Sequence, residues 1–299
     1  MNRAKRLREI PMHVMLLPGV VLLLIYSYTP MAGIIMAFEK YIPSKGIFHS
    51  QWVGIKNFIF LATLPGIFGV LWNTVFIAIM KIAAGLVVPA TIALLLNELR
   101  QQFVKRCIQT MIYLPHFISW VLLSGILLDI LSPSRGIVNQ LLSSFGLTPV
   151  FFLGDKAWFP YTMTITNTWK EFGFGTIIYL AALTAIDPTL YEAAIVDGAN
   201  RWQQTWHITL PGIKGIVVLL TALSLGSVLN AGFDQIFNLY SPQVYKTGDV
   251  LDTFVYRMGV INMEYSVATA VGLFKSVVSF ILITASYKLA YKYADYRIF

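Results

Sequence analysis

Long apolar runs free of charge constrain this 299-residue chain more than any other feature. Hydrocarbon offers no water to backbone N–H and C=O groups, so a run of about 20 apolar residues must close its own hydrogen bonds as a spanning helix. No Asp, Glu, Lys or Arg interrupts residues 10–38, 57–80, 107–128 or 215–233. Residues 82–97 carry the second run on past Lys81. Two further apolar segments are interrupted, 159–186 by Lys170 and Glu171, and 265–287 by Lys275. The pattern predicts six helices, near 12–36, 67–97, 107–131, 160–186, 214–234 and 265–288. The fold class is therefore all-α integral membrane. Charged residues make up 12% of the chain, half the roughly 25% of soluble domains, which excludes an ordinary soluble enzyme. A single cysteine, Cys107, excludes a disulfide-stapled module. The net charge of +8 sits in a chain too apolar for it to mark a nucleic-acid footprint.

The basic residues do set an orientation. With the N-terminus inside, the inner segments hold twelve Lys and Arg and the outer segments seven, so both termini are expected in the cytoplasm. Arg3, Lys5, Arg6 and Arg8 before an apolar core imitate a signal peptide. That core is too long and no small-residue cleavage site follows it, so an uncleaved first helix is expected. Three regions follow: 1–66, a tail with the first helix and an outer loop; 67–290, the membrane core; and 291–299, a cytoplasmic tail. The outer connections are long, and long loops usually carry structure or function. One mixes aromatic and polar residues over 51–58, and one predicts a short helix over 137–145. One sets Gly248 before Asp249, Asp252 and Tyr256.

Only one inner connection is long, from Asp187 to Pro211. Asp187-Pro188 is a helix start, with Asp as N-cap and Pro at the first helical position, and Thr189 to Glu192 offers an alternative capping box. Gly198 should end that helix in a left-handed turn. A second helical stretch, 200–209, leads to Leu210-Pro211, where Pro is expected to start a new helix. The result is a cytoplasmic helix–turn–helix. Its Glu192, Asp197, Arg201, Trp202, Trp206 and His207 are residue types that suit docking onto another protein.

Glu192-Ala193-Ala194, three residues, Gly198, nine residues, then Ile208-Thr-Leu210-Pro211 resembles the EAA loop of membrane subunits of binding-protein-dependent ABC importers. Trp52-Val-Gly-Ile-Lys-Asn-Phe58, Trp72-Asn73-Thr74, Leu114-Pro-His-Phe-Ile-Ser-Trp120 and Gly136-Ile-Val-Asn139 are similar to the carbohydrate branch. So are Trp169-Lys170-Glu171-Phe-Gly173, Ile178-Tyr-Leu-Ala-Ala-Leu183 and the Val244 to Asp252 stretch. Together they resemble permeases of polysaccharide importers of the alginate and pectin-fragment type. The resemblance implies a type I permease fold, a second permease subunit (usually a different chain), two cytoplasmic ATPases and an extracytoplasmic solute-binding protein. It implies carbohydrate as substrate and a bacterial cytoplasmic membrane as location. It makes Glu192, Ala193, Ala194, Asp197, Gly198, Ala199, Arg201, Leu210 and Pro211 the ATPase-coupling residues. Gly248, Asp249, Asp252 and Tyr256 become candidates for docking the binding protein. No Walker A pattern is present, so ATP and Mg are expected on the partner subunits and no cofactor on this chain.

A substrate route needs polar groups at membrane depth, where ionisable residues are expensive and face a cavity or a partner. The candidates are Lys81, Asn167, Trp169, Lys170, Glu171, Asn230, Asp234 and Lys275, with Asp129 alongside and Phe172 and Phe174 as stacking surfaces. Neighbouring helix positions point about 100° apart, so Lys170 and Glu171 are not expected to pair face to face. For an acidic oligosaccharide, Lys81, Lys170 and Lys275 are the natural counter-charges. Enzyme chemistry finds no support. His13, His49, His116 and His207 lack metal-ligand spacing, no Gly-x-Ser-x-Gly elbow occurs, and Ser124 and Asp129 share a face poorly. The alternative is a self-contained carrier or channel for a small polar solute, which leaves the 187–211 hairpin without a task.

Overall fold

The computed structural model describes residues 3–294. Positions 295–299 of the expected C-terminal tail lie outside the described residues. The chain divides into two units, one comprising 1–64 with 255–274 and the other 65–254 with 275–299.

In the first unit, α1 (Arg3–Leu23) continues through a π-helical turn, Leu24–Tyr28, into a 3-10 segment, Thr29–Phe38. Two short antiparallel strands follow, β1 (Glu39–Lys40) and β2 (Gln51–Trp52), then α2 (Lys56–Thr63). Asn57 locks this corner, donating from Nδ2 to the carbonyls of Ala37 at 2.8 Å and Glu39 at 2.9 Å. The Phe38 ring stacks on Trp52. The Tyr41 amide donates to Ser266 Oγ at 2.9 Å.

The second unit opens with α3 (Ile67–Glu98), set off by a left-handed Gly66. It continues with α4 (Gln102–Tyr113), α5 (Trp120–Ile130), α6 (Ile137–Ser144), α7 (Phe159–Thr184), α8 (Pro188–Val196) and α9 (Arg201–Gln204). Beyond them lie α10 (Leu210–Gly226), α11 (Phe233–Leu239), α12 (Tyr245–Gly248) and α13 (Leu251–Tyr256). The last helix, α14 (Tyr265–Ala294), runs through both units. α3 packs most heavily on α7. One core cluster joins Ile77, Leu123, Leu127, Phe159, Met163 and Ile236 from α3, α5, α7 and α11, and a second joins Ala93, Tyr179, Leu183 and Ile213 from α3, α7 and α10. Burying such side chains contributes about 1.5–3 kcal/mol each, so these two knots hold the second unit together.

Four helical stretches are long and apolar enough to cross a bilayer: Pro11–Phe38, Ile67–Glu98, Arg201–Gly226 and Tyr265–Lys288. Two more crossings involve bends. α7 has 26 residues, about 39 Å of helix against about 30 Å of hydrocarbon, and turns 68° into α8. The third expected span, 107–131, is broken: α4 with its 3-10 turn Leu114–Phe117 meets α5 at 102°. The expectation of one straight helix fails because Pro115 tightens the chain and Ser119 starts a fresh helix, its Oγ accepting from the Leu122 amide. Six crossings result.

The fifth span also differs from expectation. Its helix begins at Arg201 and ends at Gly226, before the predicted 234. A π-helical turn, Thr205–Thr209, carries the helix through Pro211, so the proline does not begin a separate one. The wider turn accommodates a ring that would clash in regular α geometry. At the other end Ser227 Oγ donates to the Ser224 carbonyl at 2.9 Å, and Gly232, with φ +91°, redirects the chain into α11.

Candidate functional site

The 187–211 hairpin is built by local chemistry. Asp187 Oδ1 accepts from the Thr189 amide at 3.0 Å, and Pro188 needs no amide partner at the first helical position. The Thr189 amide, and after it the Thr189 hydroxyl, hold the exposed Asp187 carboxyl below the usual carboxylate range. α8 closes with a Schellman motif: the Ala199 amide donates to the Ala194 carbonyl at 2.8 Å and the Gly198 amide to Ile195 at 3.1 Å. Gly198 sits at φ +81° as that motif demands. The capping box lies at Asn200 and Gln203, each bonding the other's backbone amide, and not at Thr189 to Glu192.

The two arms are tied together. Tyr191 Oη meets Thr209 Oγ1 at 3.0 Å, and buried Gln204 donates to the Ala199 carbonyl at 2.9 Å. Glu192, Ala193, Asp197, Arg201, Trp202, Trp206, His207 and Pro211 are exposed, while Ala194, Ala199 and Leu210 are half-buried. Arg201 reaches Glu98, at the end of α3, at 3.6 Å. Trp202 stacks on Trp206, and Val196 is 86% exposed. The hairpin thus presents an apolar and charged tip, and its second arm is one helix with the fifth span.

A second feature lies at membrane depth. An open cavity of about 260 Å³ is walled by α3, α7, the end of α10 and the break before α11. Lys81, Asn167, Ser224, Ser227 and Asn230 line it. Lys81 stands near the middle of α3. Its Nζ donates to the Ala231 carbonyl at 2.7 Å and to Gln235 Oε1. Gln235, 1% exposed, is itself oriented by donating to the Met163 carbonyl and to Thr166 Oγ1. Pro89 has no amide, so the Gly85 carbonyl on the cavity wall loses its regular intrahelical donor. The wall offers one cation, two amides, two hydroxyls and a backbone acceptor, the groups that bind a hydroxyl-rich solute.

One turn along α7, Lys170 and Glu171 do pair, at 3.0 Å, contrary to the helical-wheel expectation. Both long side chains swing toward His116 at the break of the third span. Lys170 Nζ donates to the His116 carbonyl at 2.7 Å, and Glu171 Oε2 meets its Nδ1 at 2.6 Å. Phe174 stacks on the imidazole at 4.2 Å. The cluster satisfies a carbonyl that the Pro115 break exposes, and it binds α4–α5 to α7. Gly173 permits this approach, since a Cβ there would fall 1.9 Å from the Ile112 carbonyl oxygen.

The sequence-derived route candidates therefore do not converge on one site. Lys81, Asn167 and Asn230 share the cavity, whereas Lys170 and Glu171 form the cluster with His116. Lys275 pairs with Asp252. Asp234 is exposed in the first turn of α11, Asp129 near the end of α5, and Trp169 on α7. Phe172 is half-buried. Gly248 and Asp249 are buried: Asn73 Nδ2 donates to the Asp249 carbonyl, and Thr253 Oγ1 to Asp249 Oδ1. Asp252 and Tyr256 are half-buried, so this segment faces inward more than its polar sequence suggests. Sequence reasoning passed over His116, Gln235, Ser224, Ser227 and Gly85. Only the proline beside His116 and the one after Gly85 signalled anything unusual.

Residues 85–299 match the family model described as binding-protein-dependent transport system inner membrane component. The chain is 41% identical over 295 residues to the polygalacturonan/rhamnogalacturonan transport system permease protein YteP of Bacillus subtilis strain 168, covering 99% of this chain and 92% of that protein. It is 41% identical over 288 residues to protein LplB of the same organism, covering 96% and 91%. Its structure superposes with TM-score 0.88 and 38% identity on a chain of a bacterial ABC transporter involved in the import of the acidic polysaccharide alginate, covering 96% of each chain. A second match, at TM-score 0.87 and 38% identity over 95% of each chain, is to the alginate transporter in complex with alginate pentasaccharide-bound periplasmic protein. With six crossings and the helical hairpin of residues 187–211, the chain belongs to the binding-protein-dependent transport system inner membrane components, as a type I ABC importer permease subunit.

Proposed function

We propose that this permease imports an oligosaccharide or polysaccharide, handed over by an extracytoplasmic binding protein, through the cavity at Lys81, Asn167 and Asn230. Two cytoplasmic ATPases supply the energy, binding ATP and Mg themselves, and a second permease subunit completes the passage. Both termini and the 187–211 hairpin face the cytoplasm. The observation that carries the reading is the continuous helix Arg201–Gly226, which joins the hairpin's second arm to the cavity wall at Ser224. The substrates in the names of YteP and of the alginate transporter support a complex saccharide, and the complex with a periplasmic protein supports delivery from outside.

The mechanism follows from stiffness. α8 seats on an ATPase, with Glu192 as a charged contact and Ala193 and Ala194 letting the surfaces approach. The Schellman turn and the Tyr191–Thr209 contact make both arms move as one body. Closure of the ATPases shifts the hairpin, and α7 and α10 follow and open the cavity to alternate sides. In liposomes carrying the complete transporter, Ala193→Glu should abolish ATP-driven saccharide uptake while leaving membrane insertion intact. Uptake at the native rate would refute the coupling role.

A further inference from the structure

We infer that Lys81 makes the cavity selective for anionic over neutral saccharide, an inference that rests on reading the cavity as the substrate passage. Lys81, Lys170 and Lys275 stand inside α3, α7 and α14. Lys170 is neutralised by Glu171 and Lys275 by Asp252. Lys81 differs. Its partners are a backbone carbonyl and an amide oxygen, and among the described residues no Asp or Glu pairs with it. An ammonium at membrane depth without a counter-charge is costly, and such groups mark pathways. Gln235 cannot rotate away, because its amide nitrogen is held by Met163 and Thr166. The lysine head is thereby aimed at the break that forms one wall, beside the cavity's neutral Asn and Ser groups.

Those neutral groups bind sugar hydroxyls whatever the sugar's charge. Only a carboxylate on the sugar completes a charge-assisted hydrogen bond with Lys81. Selectivity is a difference of affinities, and here one residue supplies the difference. The two lysines first expected to share this task are already occupied.

The test uses the complete transporter in liposomes, with a galacturonate trisaccharide and its fully methyl-esterified counterpart as probes. They share a skeleton and differ in charge. Both pass through the same binding protein, so its own preference cancels when variants are compared. Lys81→Met should lower the acid-to-ester uptake ratio about tenfold, and Lys81→Arg should largely keep the native ratio. If Lys81→Met slows both probes equally, or neither, Lys81 is only a tie to the 231–235 segment and the inference is overturned. A native transporter that carries ester as fast as acid, with its binding protein saturated by either probe, also overturns it, while upholding the saccharide passage. One that moves neither probe under ATP removes the passage reading and this inference together.

Discussion

Gly198 gives the coupling model its most exacting test. At φ +81° it occupies a region that costs an L-residue about 1–2 kcal/mol, least for Asn. No atom lies within 4 Å of a Cβ built there, so the backbone angle alone sets the cost of a small side chain. Asn should therefore be nearly neutral. Ala should weaken the formed hairpin by about 1 kcal/mol, roughly a fivefold drop in its formed-to-unformed ratio. Pro is of another kind. It locks φ near −65°, roughly 145° from the native angle, and removes the amide that donates to Ile195. The Ala199 bond to Ala194 goes with it, about 2 kcal/mol net for the pair. The chain then leaves α8 in the wrong direction, and Tyr191 no longer meets Thr209. Saccharide transported per ATP hydrolysed, in liposomes carrying the complete transporter, should fall in the order Gly, Asn, Ala, Pro, with Pro near zero. Basal ATPase rate and vesicle incorporation serve as controls. A flat series, or a Pro variant with native coupling, would refute the rigid-lever argument.

Two further outcomes are expected. Gly173→Ala should destabilise the protein by about 1–3 kcal/mol, since the Ile112 carbonyl 1.9 Å from the new methyl is backbone and must move. A lower melting temperature in detergent checks this, and an unchanged one would mean that α4 does not approach α7 as closely as described. Val196→Cys, placed in a Cys107→Ser background, should react with an impermeant maleimide only when the cytoplasmic face is accessible, because Val196 is 86% exposed at the hairpin tip. Labelling from the outer face of intact cells would invert the topology.

Local signals determine much of this chain without any tertiary contact. Asp187-Pro188 starts α8 and Gly198 ends it, because capping and left-handed turns are decided within a few residues. Charge-free runs placed the crossings for a similarly local reason, the self-satisfaction of backbone groups in hydrocarbon. Composition likewise excluded a soluble enzyme.

Tertiary structure alone decided which polar groups act together. Lys81 meets Ala231 and Gln235, about 150 positions away, and Lys170 finds the His116 carbonyl 54 positions back. No periodicity encodes such pairs, because at membrane depth a charge accepts whichever partner the packing of separate helices brings near. Lys81, Lys170 and Lys275 look alike in a hydropathy profile, and only packing made two of them structural and left one facing a cavity. The 102° break of the third span is a mixed case. Pro115 marks where the helix can fail, but the angle is maintained by Glu171, Lys170 and Phe174 on another helix.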